Sequence, residues 1–275
     1  QKPRGCKFDR PRASKCLLCC ILPMFAQSRV RANQRDQPDM NKNLKRERLT
    51  ALTEVIAVVA IAFLSKAALD HFFWRFSGPV SLITLLILLT VYLRRRGIYW
   101  SGMGLRAVPG AKSKWLMIPQ TLLGIVAIIL TGVVTQVALQ AIGIEPLPEG
   151  QDVATDRFAG IAGTLPVYLM WLGIGIVSGG LAEEMFFRGY LITRLQAVFS
   201  GARLAPVLAV FTAAVIFGFG HFYYQGLSGW ITTGMIGAVI GLLFLLYKRN
   251  LWPLIIAHAF VDALGMTSMY MEWGI

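Results

Sequence analysis

Cysteine is scarce in this 275-residue chain and is confined to its beginning. All four cysteines, Cys6, Cys16, Cys19 and Cys20, lie within the first twenty residues. The rest of the chain therefore has neither a disulfide framework nor thiolate ligands for a metal. Cys16-x-x-Cys19 resembles half of a zinc site, but no second half with suitable His or Cys spacing follows it.

Acidic residues are also few, and the positive charge is unevenly spread. The chain has 27 Lys and Arg against 14 Asp and Glu, and residues 1–50 hold 13 of the basic residues but only 4 of the acidic ones. This asymmetry argues against a nucleic-acid-binding body and fits a basic segment lying against anionic lipid. We expect residues 1–48 to form a disordered cytoplasmic leader, with Met40 as the natural start.

Long uncharged runs dominate the remainder. Hydrophobic residues make up 56% of the chain, which is too apolar for a soluble domain. We predict an all-α, polytopic membrane protein with about seven transmembrane segments: 51–69, 78–93, 116–143, 158–197, 205–222, 228–247 and 251–271. The fourth is too long for one straight crossing, so we expect a break near Ser178-Gly179-Gly180.

The charged loops indicate an orientation. Basic residues precede the first segment and follow the second, fourth and sixth, whereas the loop 145–156 is acidic. Because cytoplasmic loops are enriched in Lys and Arg, the N-terminus is predicted to be cytoplasmic. We divide the membrane part into N-terminal segments and loops, 49–157, and a helical core, 158–275.

Two adjacent glutamates and an arginine interrupt the fourth segment. A charge at the bilayer centre costs about 2.5–3.5 kcal/mol on the most lenient scale, so such residues are rare and usually functional. Glu184 and Arg188 are four residues apart and can pair on one helix face. Glu183 points about 100° away and has no partner in its own helix. The alternative is a salt-bridged helix end at the membrane surface.

Two histidines and an aspartate lie in the last three segments. The turn at 200–202 is midway between Glu183 and His221, so an antiparallel hairpin brings them to a similar depth. His258 and Asp262 share one helix face through their i,i+4 spacing. The alternatives are a histidine that only hydrogen-bonds between helices, and a His–Asp pair that only locks two helices together.

Together these side chains can hydrolyse a peptide bond. A carboxylate can accept a proton from water, an imidazole can position that water, and further donors can stabilise an oxyanion. The same set also suits zinc, with Glu183, His221 and His258 as candidate ligands. His-Glu-x-x-His, Gly-x-Ser-x-Gly and Gly-x-Gly-Asp are all missing, so zincin, serine and aspartyl classes are disfavoured. A proton-coupled transporter is disfavoured because no internal repeat is found.

Three motifs carry a resemblance to a known family. Glu183-Glu184-x-x-x-Arg188, Phe217-x-x-x-His221 and His258-x-x-x-Asp262 resemble the ordered motifs of the CPBP family, the CAAX proteases and bacteriocin-processing or immunity proteins, also called Abi. The similarity covers roughly residues 158–271. It implies a helical endopeptidase with its active site inside the membrane bundle, usually classed as a metalloprotease.

The resemblance also implies roles for individual residues. Glu183 would activate the water with His221 as its partner, and Arg188 would hold Glu184. His258 and residue 262 would bind the carbonyl oxygen or a metal; the family often has Asn where Asp262 stands, and an ionised aspartate cannot donate a hydrogen bond.

The expected partners are the lipid bilayer and a membrane-associated peptide or protein, either prenylated or of the leader type, and no nucleic acid. Glutamate-activated water and zinc assistance both remain open. The alternative function is a non-catalytic immunity or scaffold protein that retains the fold.

Overall fold

The described part of the chain is built from helices. A computed structural model describes residues 37–145 and 156–273, and within these ranges no strand occurs, which confirms the predicted all-α class. The helices are α1 Gln37–Arg95, a short 3-10 turn Trp100–Met103, α2 Gly110–Ala141, α3 Leu165–Ile174, a π-helix Gly175–Leu191, α4 Ile192–Val198, α5 Ala205–Leu246 and α6 Trp252–Met271. The four cysteines and most of the predicted leader and acidic loop lie outside these ranges, whereas the last twelve residues of that leader belong to α1.

Five helical stretches are long and apolar enough to cross a membrane. They are Lys42–Arg95, Gly110–Ala141, Leu165–Val198, Ala205–Leu246 and Trp252–Met271. The predicted number of seven segments is not confirmed. The first and second predicted segments fall within the stretch Lys42–Arg95, and the fifth and sixth fall within α5 and its C-terminal end. The cytoplasmic position of the N-terminus stays a prediction.

The two longest helices each fold back on themselves. α5 contains one non-helical residue, Gly226, whose positive φ of 64° suits glycine. A Cβ built on Gly218 would lie 2.3 Å from the carbonyl oxygen of Trp230, and one on Gly237 would lie 3.5 Å from the Cα of Ala214. The partners run in opposite order along the chain, so the two arms of α5 form an antiparallel hairpin.

α1 also folds back on itself at one non-helical residue. Its non-helical residue is Phe73, with φ −156° and ψ 65°. The Ser81 hydroxyl donates to the carbonyl of Ala62 over 3.2 Å, and the Tyr92 hydroxyl donates to Glu54 over 2.8 Å. These pairs also run in opposite order, so α1 is a second antiparallel hairpin.

The π-helix lies in the packed centre of the fold. Its side chains Phe186, Tyr190 and Leu191 are buried in one apolar cluster with residues of α1, α5 and α6. The break predicted near Ser178-Gly179-Gly180 is not found, since the chain stays helical there and changes to the wider i→i+5 hydrogen bonding. Most π-helices are single turns at functional sites, whereas this one has 17 residues.

The close approach within the α5 hairpin predicts a position-specific loss of stability. We expect Gly218→Ala to lower the free energy of unfolding by about 1–3 kcal/mol, because the methyl group collides with backbone of the other arm. Gly220→Ala is the matched control, since a Cβ there meets nothing within 4 Å. Thermal unfolding in detergent measures the difference, and equal melting temperatures for the two variants would contradict the hairpin packing.

Candidate active site

Glu184 and Arg188 form a fully buried ion pair on the π-helix. Their side chains are 0% and 1% exposed, and Arg188 Nη1 lies 2.9 Å from Glu184 Oε1. The N–H is not aimed at the oxygen as in a regular hydrogen bond, so the contact is mainly an attraction between charges. The guanidinium carbon also lies 4.7 Å from the ring centre of Phe217, a cation–π contact. The predicted pair is therefore present.

The same carboxylate holds His258 from α6. His258 Nδ1 lies 2.8 Å from Glu184 Oε1, so the ring donates its Nδ1–H to the buried acid. The other ring nitrogen, Nε2, is 4.0 Å from Glu183 Oε2 and 3.7 Å from Asp262 Oδ1. Glu184 thereby fixes the ring so that Nε2 faces two further carboxylates, at distances that a water molecule can bridge.

Two glycines shortly before the first motif, Gly179 and Gly180, allow α6 to come this close. A Cβ on Gly179 would lie 2.0 Å from Asp262 Oδ2, and one on Gly180 would lie 2.5 Å from the Cβ of Ala259. A larger residue at position 180 would collide with the backbone of Ala259 and push α6, and with it His258, away from the glutamates, whereas one at position 179 would displace the carboxylate of Asp262. The Gly-Gly pair that was predicted to bend the chain instead makes room for the neighbouring helix.

His221 reaches the site from the first arm of α5. Its Nδ1 lies 3.0 Å from the carbonyl oxygen of Phe217 in the preceding turn and donates to it, which leaves Nε2 as the free acceptor. The ring also packs edge-on against Phe217, with 4.9 Å between centroids. Phe217 therefore contacts both His221 and Arg188, and it links the second motif to the first.

One cavity brings the predicted residues together. Glu183, His221, His258 and Asp262 all line a space of about 300 Å³ between the π-helix, α5 and α6. Glu183 and His221 also line a neighbouring cavity of about 160 Å³ that extends towards α1. Glu184 and Arg188 are not among the residues that line either cavity, and Glu184 contacts the lining residue His258.

Several lining residues were missed from the sequence. Arg157, Trp171, Ser178 and Tyr224 line the larger cavity beside Glu183. Arg157 is the only basic residue between Lys114 and Arg188 in the sequence. This isolation could have marked it as a candidate site residue. The hydroxyl and aromatic residues stand in apolar runs and resemble ordinary helix-packing residues.

The donor set does not fit a zinc centre as it is arranged. Across 37–145 and 156–273, no group of three or more His, Cys, Asp or Glu residues is placed to hold one metal ion. Zinc ligands lie about 2.0–2.3 Å from the ion, so three of them must converge on one point. His258 uses Nδ1 for Glu184, and its Nε2 remains 3.7–4.0 Å from the nearest carboxylates.

Comparison with known proteins identifies this region. Residues 165–264 match the sequence model of the family described as Type II CAAX prenyl endopeptidase Rce1-like. The resemblance to the CPBP family is confirmed here. The Rce1-like region begins with α3 and ends within α6, so it contains all three motifs and every residue proposed for the site. No curated protein and no solved structure matches the chain.

The buried ion pair predicts that Arg188 is needed for stability. We expect Arg188→Ala to lower the free energy of unfolding by about 3–5 kcal/mol, because it leaves Glu184 charged and buried without its partner. Thermal unfolding in detergent tests this, with the exposed Arg203→Ala as the matched control. The double variant Glu184→Gln/Arg188→Ala should recover part of the loss. A wild-type melting temperature for Arg188→Ala would show that the pair does not stabilise the protein.

Proposed function

We propose that this protein is an intramembrane endopeptidase that hydrolyses a peptide bond near the C-terminus of a membrane-associated, prenylated substrate. The observation that carries the proposal is the shared cavity of Glu183, His221, His258 and Asp262 inside an Rce1-like region. The five apolar helical stretches support a substrate that is itself held at the membrane.

Glu183 is the proposed general base. Glu183 lines the cavity. Its carboxylate has no ion-pair partner in its own helix, whereas that of Glu184 is paired with Arg188. Glu183 takes a proton from water as the water oxygen bonds to the scissile carbonyl carbon. When the carbon–nitrogen bond breaks, the same carboxyl returns a proton to the departing amine, so that an acid and an amine are the products. His221, with Nδ1 held by Phe217, offers Nε2 to accept a hydrogen bond from the attacking water.

His258 is the proposed oxyanion donor. Glu184 holds its Nδ1–H, and a protonated ring presents Nε2–H to the carbonyl oxygen on which negative charge develops. Asp262, 3.7 Å from that nitrogen, supports the charged ring electrostatically. This arrangement gives Asp262 a role that does not require an ionised carboxylate to donate a hydrogen bond.

Substitution of the base tests catalysis. We expect Glu183→Gln to lower kcat by about 100- to 10,000-fold, because the amide cannot accept the proton of water. The melting temperature should stay near that of wild type. The control is Glu47→Gln at an exposed position of α1, and the assay follows cleavage of a farnesylated CAAX peptide by mass spectrometry. A folded Glu183→Gln protein that retains its cellular phenotype would point instead to the non-catalytic scaffold function.

Metal removal tests whether zinc takes part. Because the donors do not converge on one point, we expect the purified protein to keep its activity after EDTA has removed any bound metal. Metal analysis of the purified protein and the peptide cleavage assay are compared before and after treatment. Stoichiometric zinc that is lost together with activity, and restored with it, would support zinc-assisted hydrolysis and contradict this expectation.

A further inference from the structure

Two nitrogen donors in the wall of the larger cavity have no acceptor. Arg157 Nε and Trp171 Nε1 are both buried from solvent, and neither has a hydrogen-bond partner in the described part of the chain. Trp171 is only 1% exposed. Buried N–H groups are nearly always paired in native proteins, and leaving one unpaired is costly. Both residues line the larger cavity, so a ligand bound there can bring an acceptor that the described protein groups do not provide.

The charge of Arg157 also lacks a counter-ion within residues 37–145 and 156–273. Among the residues that the structure describes, no carboxylate forms an ion pair with it, whereas the other cation of the neighbouring cavity, Lys66, is paired with Asp70 at 2.8 Å. The Arg157 guanidinium instead lies 5.8 Å from the ring centre of Trp171 and 5.4 Å from that of Tyr224. The aromatic faces help to hold the cation, but they provide no hydrogen-bond acceptor of the carboxylate type.

The side chain of Arg75 holds the backbone segment that carries Arg157. Arg75 of α1 donates to the carbonyl oxygens of Arg157 and Ala159 over 2.9 and 2.8 Å. Gly78 leaves space for the guanidinium, since a Cβ there would lie 3.6 Å from Arg157 Nη2. The cation is therefore held in place before any ligand binds.

We propose that Arg157 and Trp171 form a subsite for the C-terminal carboxylate of the peptide substrate. An arginine with a neighbouring N–H suits the two oxygens of a carboxylate. This inference rests on the proposed peptidase function, and it adds the group that positions the end of the substrate.

The separation from Glu183 limits the length of the tail that fits. Trp171 and Glu183 are twelve residues apart in one continuous helical stretch, which is at most about 18 Å along its axis. Arg157 and Glu183 line the same cavity. Three to four extended residues span about 10–14 Å, which lies within this upper limit.

The test compares three farnesylated CAAX peptides. One is the free acid, one is its C-terminal amide, and one is an amide whose last residue is glutamate. We expect wild type to cleave the free acid with a kcat/KM about 10- to 100-fold higher than either amide, mostly through KM. Equal cleavage of acid and amide would overturn the subsite, and cleavage of the glutamate amide as fast as the acid would overturn its assignment to the terminal carboxylate.

Variants separate this role from a structural one. Arg157→Gln should abolish the preference for the acid, and Trp171→Phe, which removes the N–H and keeps a smaller aromatic ring, should reduce it. Lys112→Gln, at an exposed position, should keep it. A structural defect would slow acid and amide equally, so an unchanged preference in Arg157→Gln would overturn the proposal. An internal ion pair of Arg157 with Glu149 or Asp152 would give wild type no preference for the acid.

Binding distinguishes failure of this inference from failure of the proposed function. If wild type cleaves none of the peptides, the proposed activity on prenylated C-termini fails. The affinity of fluorescent acid and amide peptides for the Glu183→Gln protein still decides the subsite. Tighter binding of the acid supports it, and equal binding or no binding overturns it.

Discussion

The buried carboxylate of Glu184 is the interaction on which the site depends. One oxygen, Oε1, receives Arg188 from the next turn of its own helix and His258 from α6. A buried charge is tolerated only when it is well paired, so the two contacts stabilise the acid together. The orientation of His258 is thus set by an ion pair that does not line the cavity, so the same atoms contribute to the stability of the fold and to the geometry of the candidate site.

Close helix packing makes that contact possible. In lipid, helices gain little from the hydrophobic effect when they associate, and small residues are favoured because they let backbones approach. Gly180 against Ala259, and Gly124 against Ala257, hold α6 on both sides. Gly179 admits the side chain of Asp262 itself. The small residues at these contacts therefore help to determine how far the imidazole of His258 lies from the glutamates.

Hydropathy and residue spacing predicted the helical class and the side chains that meet in the cavity. The spanning runs are local properties of the sequence, and rare intramembrane charges indicate function on their own. Contacts between distant segments leave no such signal. The spacing paired His258 with Asp262, whereas its shortest contact is with Glu184, 74 residues away. The π-helix was not predicted, because the hydropathy and spacing of its residues do not distinguish it from an α-helix.

Two arginines near the cavity show how differently the fold treats similar charges. Arg188 and Arg157 both lie near aromatic rings, yet within the described ranges only Arg188 also has a carboxylate. The paired arginine stabilises the scaffold, whereas Arg157 retains an attraction for an anion from outside. Glu183 and Asp262 give the other part of the cavity a negative character. If the proposed subsite holds, Arg157 would attract a free C-terminal carboxylate and an ionised Glu183 would repel it, so the charges would favour one chain direction in the cavity.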